Sequence, residues 1–374
     1  MRIHLIAAAR PNFMKIAPLY HALDQVEWAR PVIVHTGQHY DINMSDAFFN
    51  DLGLPDPHIH LGIGSGSHAE QTGNVMIAYE KILLKERPRL VVVVGGVNST
   101  MACTIAASKV VYADLPEGSR RPVVAHLEAG LRSKDRTMPE EINRLVTDAL
   151  ADILWTPSPD ATENLLKEGV PRQKIENVGN IMIDSLEMMR QKIVAAEAFS
   201  ALGLSRGRYG LITLHRPANV DSPDILAALC RLLIAVSERI PLVFPVHPRT
   251  RKNLVAFGLL DGLQQAEKMI LTEPMNYVRF MNLVFNCQFV ITDSGGIQEE
   301  TTYLGIPCLT MRPNTERPIT VDQGTNQLCT MESLGPRIDR ILAGAAKSYH
   351  VPERWDGRTA ERIVNVIRSK MLFN

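Results

Sequence analysis

The most informative segment of the chain is Phe289-Val290-Ile291-Thr292-Asp293-Ser294-Gly295-Gly296-Ile297-Gln298-Glu299-Glu300. It begins as a buried strand and continues into the start of a helix. Its two glycines let a ligand approach the backbone, and the free amides at a helix start favour phosphate. Ser294 is expected to cap this helix, and a glutamate one turn in can reach a ribose diol. An ordinary capped strand-to-helix turn would use the same residues, so this segment alone leaves both interpretations open.

The same strand-then-helix pattern recurs along the whole chain. Further apolar runs lie at residues 2–9, 31–37, 90–94, 123–126, 153–156, 210–215 and 242–247. Continuous apolar strands separated by helices predict an α/β fold with parallel sheets covered on both faces. The chain has 374 residues, more than one core usually holds, and the pattern restarts after a connector at residues 169–180. We therefore predict two doubly wound domains facing a cleft, with ligands at the carboxyl ends of the strands.

Composition excludes several classes of protein. Forty basic and 40 acidic residues cancel, so the net charge gives no reason to expect nucleic-acid or membrane partners. No apolar run reaches the roughly 20 residues that span a bilayer, and the start lacks a signal-peptide layout, which predicts a cytoplasmic protein. Five scattered cysteines form no CxxC pair, as expected in a reducing compartment. Histidine spacing predicts no metal site, and the missing GxGxxG after the first strand predicts no NAD. We expect no cofactor.

Several spaced motifs carry a resemblance to a known family. They are Arg10-Pro11-x-x-x-Lys15, Thr36-Gly37-Gln38-His39, His126-Leu127-Glu128-Ala129-Gly130-Leu131-Arg132, Pro139-Glu140-Glu141-x-Asn143-Arg144, Thr213-Leu214-His215-Arg216, and the segment from Asp293 followed by Met311–Pro318. Together they resemble the UDP-N-acetylglucosamine 2-epimerase family over almost the whole chain. The resemblance implies a glycosyltransferase-B architecture of two Rossmann-like domains with a C-terminal helix that returns to the first. We place the first domain at residues 1–172 with the returning helix in 358–374, and the UDP-binding domain at 173–357.

The activity implied by this resemblance is interconversion of UDP-N-acetylglucosamine and UDP-N-acetylmannosamine. Family members are understood to eliminate UDP from carbon 1 while a base removes the proton of carbon 2. UDP then adds back to the resulting glycal, with protonation on the opposite side. The resemblance also implies a homodimer whose small-molecule partner is a UDP-sugar. Three alternatives stay open: a hydrolysing 2-epimerase that releases UDP and N-acetylmannosamine, a glycosyltransferase of the same architecture, and a catalytically inactive UDP-sugar-binding relative.

This chemistry needs cations and amides for the departing diphosphate and acid/base groups near carbons 1 and 2. By resemblance, the catalytic candidates are Glu128, Glu140, His215 and position 96. The substrate-binding candidates are Arg10, Lys15, Phe280, Ser294, Gly295, Gly296, Glu300, Arg312 and Arg317. Gln38, His39 and Gln71 resemble positions at which bacterial relatives bind a second, activating UDP-sugar.

Structural roles would explain some of the same residues. The helix dipole favours a carboxylate at Glu140 on its own, and His215 could be a hydrogen-bonded histidine at a strand end. Burial beside its strand is expected to raise the pKa of Glu128 toward the range useful for proton transfer.

One position departs from the family pattern. After Val91-Val92-Val93-Val94 the family carries Gly-Asp, whereas this chain carries Gly95-Gly96. A glycine at position 96 can transfer no proton, and loss of one acid/base group lowers a rate by about 10²–10⁴-fold. Three explanations stay open: a glycine introduced to trap ligand in a working enzyme, a natural glycine with Glu128 and Glu140 or a water taking over, or a binding-only relative that has lost catalysis.

Overall fold

A computed structural model describes residues 1–37, 49, 51–116 and 120–372, with only the backbone of Arg10. These residues form two compact units, Met1–Met188 with Glu353–Asn374, and Met189–Pro352. Each unit is built on one parallel sheet. The domain boundaries given above stay a prediction.

The sheet of the first unit has seven parallel strands. They are β1 (Arg2–Ala7), β2 (Arg30–His35), β3 (Ile59–His60), β4 (Leu90–Val94), β5 (Val123–Leu127), β6 (Ile153–Thr156) and β7 (Ile175–Asn177). Their order in space is β3-β2-β1-β4-β5-β6-β7. The helices are α1 (Arg10–Asp24), α2 (His68–Glu86), α3 (Asn98–Lys109), α4 (Pro139–Leu150), α5 (Pro159–Lys167) and α6 (Ile181–Ala195), which continues into the second unit. The C-terminal helix α15 (Thr359–Leu372) packs against α1.

The order of these strands places three turns next to one another at the carboxyl ends of the strands. β4 pairs with β1 on one side, with Leu5 opposite Val92, and with β5 on the other, with Val94 opposite Leu127. All five residues of β4 are buried, as its continuous valine run predicts. The segments that follow β1, β4 and β5 therefore meet where the chain reverses its winding direction, the usual ligand position in such sheets.

The second unit repeats this design with six parallel strands. They are β8 (Gly210–Thr213), β9 (Leu242–Pro245), β10 (Met269–Thr272), β11 (Phe289–Thr292), β12 (Cys308–Thr310) and β13 (Asn326–Leu328), in the order β10-β9-β8-β11-β12-β13. Its helices are α7 (Pro217–Val220), α8 (Pro223–Ser237), α9 (Pro248–Ala256), α10 (Leu260–Gln265), α11 (Tyr277–Asn286), α12 (Gly296–Leu304), α13 (Pro318–Asp322) and α14 (Met331–Leu342). Here the winding reverses between β8 and β11.

The predicted α/β class with two doubly wound parallel sheets is confirmed. The five cysteines are buried and unbridged. Among residues 1–37, 49, 51–116 and 120–372, no helix is both long and apolar enough to cross a membrane.

Candidate active site

An ion pair stands at the carboxyl edge of the first sheet. The Lys15 Nζ donates to the Glu128 Oε2 at 2.5 Å, and only 12% of the lysine side chain and 4% of the glutamate side chain are exposed. Lys15 lies in the second turn of α1, the helix that follows β1, and Glu128 directly follows β5. Glu128 adopts φ +71°, a left-handed backbone conformation that is rare outside glycine and concentrates at functional sites. The pairing brings two of the predicted site residues together and gives Lys15 a carboxylate partner.

The Gly95-Gly96 turn lies beside this pair. Gly95 adopts φ +67°, and a Cβ placed on it would lie 3.4 Å from the Glu128 Oε2 and 3.5 Å from the Lys15 Nζ. A Cβ on Gly96 would lie 2.9 Å from the backbone oxygen of Glu140 and 3.1 Å from the Cγ of Arg144. Glycine at position 96 thus lets the turn pack tightly against the first turns of α4.

Helix α4 supplies both an exposed and a buried glutamate. Glu140 is exposed in the first turn of α4, directly after Pro139. Glu141 is 2% exposed and accepts hydrogen bonds from the Ser133 amide and hydroxyl and from the Lys134 amide, and it pairs with Arg144. Burial alone would raise the pKa of Glu141, but these hydrogen bonds and the charge of Arg144 lower it overall. Glu141 is therefore structural, and Glu140 is the glutamate available to a substrate.

A polar cluster links α2, α3 and α4. The Asn98 Nδ2 donates to the Gln71 Oε1 at 2.9 Å, and the Asn143 Nδ2 donates both to the Asn98 Oδ1 and to the Gly96 carbonyl. Gln71, a predicted contact for an activating ligand, is thus tied to the Gly96 turn. Gln38 and His39 lie outside the described residues, as does the side chain of Arg10.

The turn after β11 in the second unit lacks the side-chain helix cap that the sequence predicts. The residue that precedes α12 is Gly295, and no side chain caps the helix, so the expectation that Ser294 is the cap is wrong. The Ser294 amide instead donates to the Thr292 hydroxyl at 2.9 Å, which closes the turn one residue earlier. A Cβ on Gly295 would lie 2.5 Å from the Glu316 Oε1, whereas one on Gly296 would meet nothing within 4 Å. Gly295 serves internal packing, and Gly296 faces open space at the start of α12.

A histidine and a buried aspartate connect the loops after β8 and β11. The Asp293 carboxylate is fully buried and accepts hydrogen bonds from the amides of His215 and Arg216 and from the Asn219 Nδ2. It also lies 3.1 Å from the His215 Nδ1. Burial opposes ionisation of Asp293, but these bonds lower its pKa. The His215 side chain is 37% exposed, and its ring lies 5.3 Å from that of His247. His215 is therefore oriented by a carboxylate on one nitrogen.

The carboxyl of Glu300 has an altered acidity. It is 4% exposed and accepts a hydrogen bond from the Tyr277 hydroxyl at 2.7 Å. Burial, with a smaller contribution from the neighbouring Glu299, raises the pKa of Glu300 to about 7 despite that hydrogen bond. Phe280 lies one turn further along α11 than Tyr277 and is partly exposed. The predicted aromatic and ribose contacts thus come from two neighbouring helices.

Charges alternate along the segment after β12. Glu316 accepts from the Arg312 Nη2 at 3.0 Å and from the Arg317 Nη1 at 2.7 Å, and Arg317 Nε lies 2.9 Å from Glu299. All four side chains are buried. Burial would raise the pKa of Glu316, yet the two arginines hold it at about 2. Both predicted arginines therefore stand in one ion-pair network with fixed geometry.

These features define a class of protein. Two doubly wound units carry an anion-compatible helix start with a nearby buried carboxylate in one unit and a lysine–glutamate pair in the other. Doubly wound sheets of this kind commonly bind nucleotides at the carboxyl ends of their strands, with the phosphate at a helix start.

Comparison with known proteins identifies the family. A family model described as UDP-N-acetylglucosamine 2-epimerase matches residues 21–368. The chain is 39% identical to the UDP-N-acetylglucosamine 2-epimerase of Methanocaldococcus jannaschii, over 98% of this chain and 99% of the relative. The crystal structure of that protein in complex with UDP-GlcNAc and UDP is similar with a TM-score of 0.83, covering 98% of this chain and 99% of that one. The chain belongs to the UDP-N-acetylglucosamine 2-epimerase family.

Two other similarities bear on specificity and fold. The UDP-2,3-diacetamido-2,3-dideoxy-D-glucuronate 2-epimerase of Pseudomonas aeruginosa is also 39% identical, over 96% of this chain and 95% of the relative. The apo galactosyltransferase WaaB of the lipopolysaccharide outer core is 14% identical with a TM-score of 0.56, over 99% of this chain and 100% of that one, and shares the fold. The expected relation to the glycosyltransferase architecture is thereby confirmed.

Sequence reasoning missed several residues that shape these sites. Tyr277 and Asp293 bond the predicted residues Glu300 and His215. Asp148 bonds His126, which in turn contacts the Gly95 carbonyl. Tyr277 precedes Phe280 by one helical turn, which is the only local signal that it shares a face with a predicted residue.

Proposed function

We propose that this protein is a non-hydrolysing epimerase that interconverts UDP-N-acetylglucosamine and UDP-N-acetylmannosamine. The observation that carries the proposal is the 39% identity, over nearly the full length of both chains, to a UDP-N-acetylglucosamine 2-epimerase. In this proposal the second unit binds the nucleotide. The amides at the start of α12 hold the diphosphate near Gly296, Glu300 accepts from the ribose hydroxyls, and Phe280 packs beside the uracil.

The reaction proceeds by elimination and addition. The bond between carbon 1 and the UDP oxygen breaks, the electron pair leaves with UDP, and the proton of carbon 2 passes to a base. The electrons of that C–H bond form the double bond of the glycal. Reversal with protonation on the opposite face of carbon 2 gives the epimer. Because position 96 carries no carboxylate, Glu128 and Glu140 are the groups assigned to these proton transfers.

The cations and His215 stabilise the leaving group. Arg10, Arg312 and Arg317 supply positive charge to the diphosphate and sugar. Lys15 donates to Glu128 at 2.5 Å and so holds this carboxylate in position for the proton transfer. His215, held through Nδ1 by Asp293, presents its other nitrogen to the departing phosphate oxygen.

The product identifies the reaction. Purified protein is incubated with UDP-N-acetylglucosamine, and ¹H NMR follows the anomeric region. We expect UDP-N-acetylmannosamine at equilibrium with the substrate. Free N-acetylmannosamine with stoichiometric UDP would indicate the hydrolysing alternative. Unchanged substrate together with saturable UDP binding would indicate the inactive relative that Gly96 suggests.

A second candidate substrate is favoured by one comparison. The relative named for UDP-2,3-diacetamido-2,3-dideoxy-D-glucuronate has the same 39% identity to this chain as the N-acetylglucosamine enzyme, over a somewhat smaller share of both chains. That sugar differs from N-acetylglucosamine by an acetamido group at carbon 3 and a carboxylate at carbon 6. Parallel assays of both UDP-sugars measure the ratio of the two kcat/KM values. Our proposal predicts the higher value for UDP-N-acetylglucosamine, and the opposite ratio would reassign the substrate.

We also infer a cytoplasmic homodimer. The exposed apolar side chains of Ile77 and Leu84, two turns apart on α2, support an intersubunit surface on this helix. Gln38, His39 and Gln71 are assigned to an activating UDP-sugar. Light scattering of Ile77→Glu/Leu84→Glu against the unaltered protein tests the dimer, since a monomeric variant is expected. An unaltered protein that is already monomeric would contradict the assignment.

A further inference from the structure

His126 is a buried histidine that the proposed reaction does not yet use. It is the fourth residue of β5 and is fully buried. Its Nδ1 lies 2.5 Å from the Asp148 Oδ1, and its Nε2 lies 2.9 Å from the carbonyl oxygen of Gly95. The imidazole therefore bridges α4 and the turn that precedes Gly96.

Both neighbours of the ring are hydrogen-bond acceptors. A backbone carbonyl can only accept, and so can an ionised carboxylate. Asp148 also accepts from the Gly130 amide at 3.0 Å and lies 2.7 Å from the Arg132 Nη2, which favours its ionised form. Burial alone would raise the pKa of Asp148, but His126 and Arg132 lower it. With Asp148 ionised, both contacts of His126 are satisfied only if each ring nitrogen carries a proton.

Arg132 favours the ionised form of the carboxylate that contacts this ring. Arg132 pairs with Asp148 and also binds Glu168 through two hydrogen bonds, of 2.8 and 2.7 Å. The Glu168 side chain is 38% exposed, so the buried charge that faces Asp148 on this side is the Arg132 guanidinium. Asp148 and Arg132 are buried, and an uncompensated charge among them would be strongly destabilising.

We propose that His126 is a positioning residue, an imidazolium paired with Asp148 that holds the Gly95 carbonyl and so fixes the Gly95-Gly96 turn beside Lys15 and Glu128. The inference rests on the proposed function, because the turn matters only if chemistry occurs beside it. His126 touches no substrate in this account. Its effect is on the position of the turn, and a displacement of about 1 Å near reacting atoms can lower a rate by about 10²-fold.

Two substitutions separate positioning from packing. His126→Gln keeps a donor near the Nε2 position for the Gly95 carbonyl and loses the contact to Asp148. His126→Asn keeps a donor near the Nδ1 position for Asp148 and loses the contact to Gly95. We expect His126→Asn to lower kcat about 10- to 100-fold with little change in KM, and His126→Gln to retain more of the kcat although it is the less stable variant. If the variant with the lower melting temperature also has the lower kcat, the proposal is overturned.

The charge state is measured independently of activity. In the ¹⁵N spectrum of histidine-labelled protein, assigned with the His126→Gln variant, we expect both ring nitrogens of His126 to carry a proton, as their two acceptor contacts require. A neutral His126 ring would overturn the inference, whatever the kcat values of the two variants. A wild-type protein without turnover but with a protonated His126 would instead contradict the proposed function.

Discussion

Restoring an aspartate at position 96 is the most informative single change in this chain. The new side chain would begin 2.9 Å from the Glu140 carbonyl oxygen, closer than real Cβ contacts, and 3.3 Å from the Arg144 Nη1. The first turn of α4 must therefore shift by a few tenths of an ångström. The added carboxylate would then lie within reach of the Arg144 guanidinium, which favours its ionised, proton-accepting form.

Gly96→Asp has two opposing effects, one on stability and one on turnover. Overpacking against a backbone oxygen lowers the free energy of unfolding by about 1–3 kcal/mol. A correctly placed acid/base group raises turnover by about 10²–10⁴-fold. Strain of the folded state lowers stability without lowering the rate in proportion, so we expect Gly96→Asp to melt at a lower temperature and to turn over at least ten times faster.

Two control variants separate the causes. Gly96→Ala introduces the Cβ without the carboxylate, and Gly96→Asn introduces a side chain of similar shape without the charge. Initial rates of UDP-N-acetylglucosamine epimerisation and melting temperatures are measured for all three variants and for the unaltered protein. We expect lower stability in all three and a higher rate only in Gly96→Asp. A folded, UDP-binding Gly96→Asp with an unchanged rate would refute the idea that position 96 is the missing acid/base site.

Three further changes test other parts of the site. Glu128→Gln should lower kcat by about 10²–10⁴-fold with little change in KM, measured by NMR; a rate within threefold of the unaltered protein would exclude Glu128 as a base. A Cβ at Gly296 meets nothing within 4 Å, so Gly296→Ala should leave the melting temperature unchanged or higher. The same change should weaken UDP binding at least tenfold, measured by calorimetry. Equal affinity would mean that the ligand lies elsewhere. Because the Glu300 pKa is about 7, UDP-N-acetylglucosamine should bind about tenfold more weakly at pH 6 than at pH 8, where the carboxylate is ionised, and Glu300→Gln should abolish this dependence. A dependence that persists in Glu300→Gln would assign it to another group.

Glu300 also makes the stability depend on pH. Its folded-state pKa of about 7 is raised above the ordinary value of 4.5, so the unfolded chain releases this proton at lower pH. The contribution of Glu300 to stability is therefore present below about pH 4.5 and is lost as the pH rises toward 7. The Glu300→Gln variant lacks this loss and provides the comparison.

The fold was predictable because its strands are continuous apolar runs. The valines of β4 are all buried, and each such run becomes a strand of a parallel sheet. The sequence could also predict that three features lie close together: Lys15, Glu128 and the Gly95-Gly96 turn. Each follows a strand, and the carboxyl ends of parallel strands lie at the same end of a sheet. The Ser294 cap was predicted wrongly, since the Thr292 hydroxyl takes the Ser294 amide and the helix begins at Gly296.

Other features depend on tertiary structure and leave no local pattern in the sequence. Asp148 reaches His126 from a different element, 22 residues away, and Tyr277 reaches Glu300 across 23 residues. The raised pKa of Glu300 and the lowered pKa of Glu316 follow from burial and partners that only the folded chain brings together. The tight packing of Gly96 against Glu140 is likewise visible only in three dimensions.

Deuterium incorporation tests the elimination chemistry most directly. The protein is incubated with UDP-N-acetylglucosamine in D₂O, and both UDP-sugars are recovered and examined by NMR and mass spectrometry. The account predicts one deuteron at carbon 2 of the UDP-N-acetylmannosamine formed, and of the substrate re-formed from it. Epimerised product that retains the original proton at carbon 2, or substrate that stays unlabelled and unchanged, would contradict it.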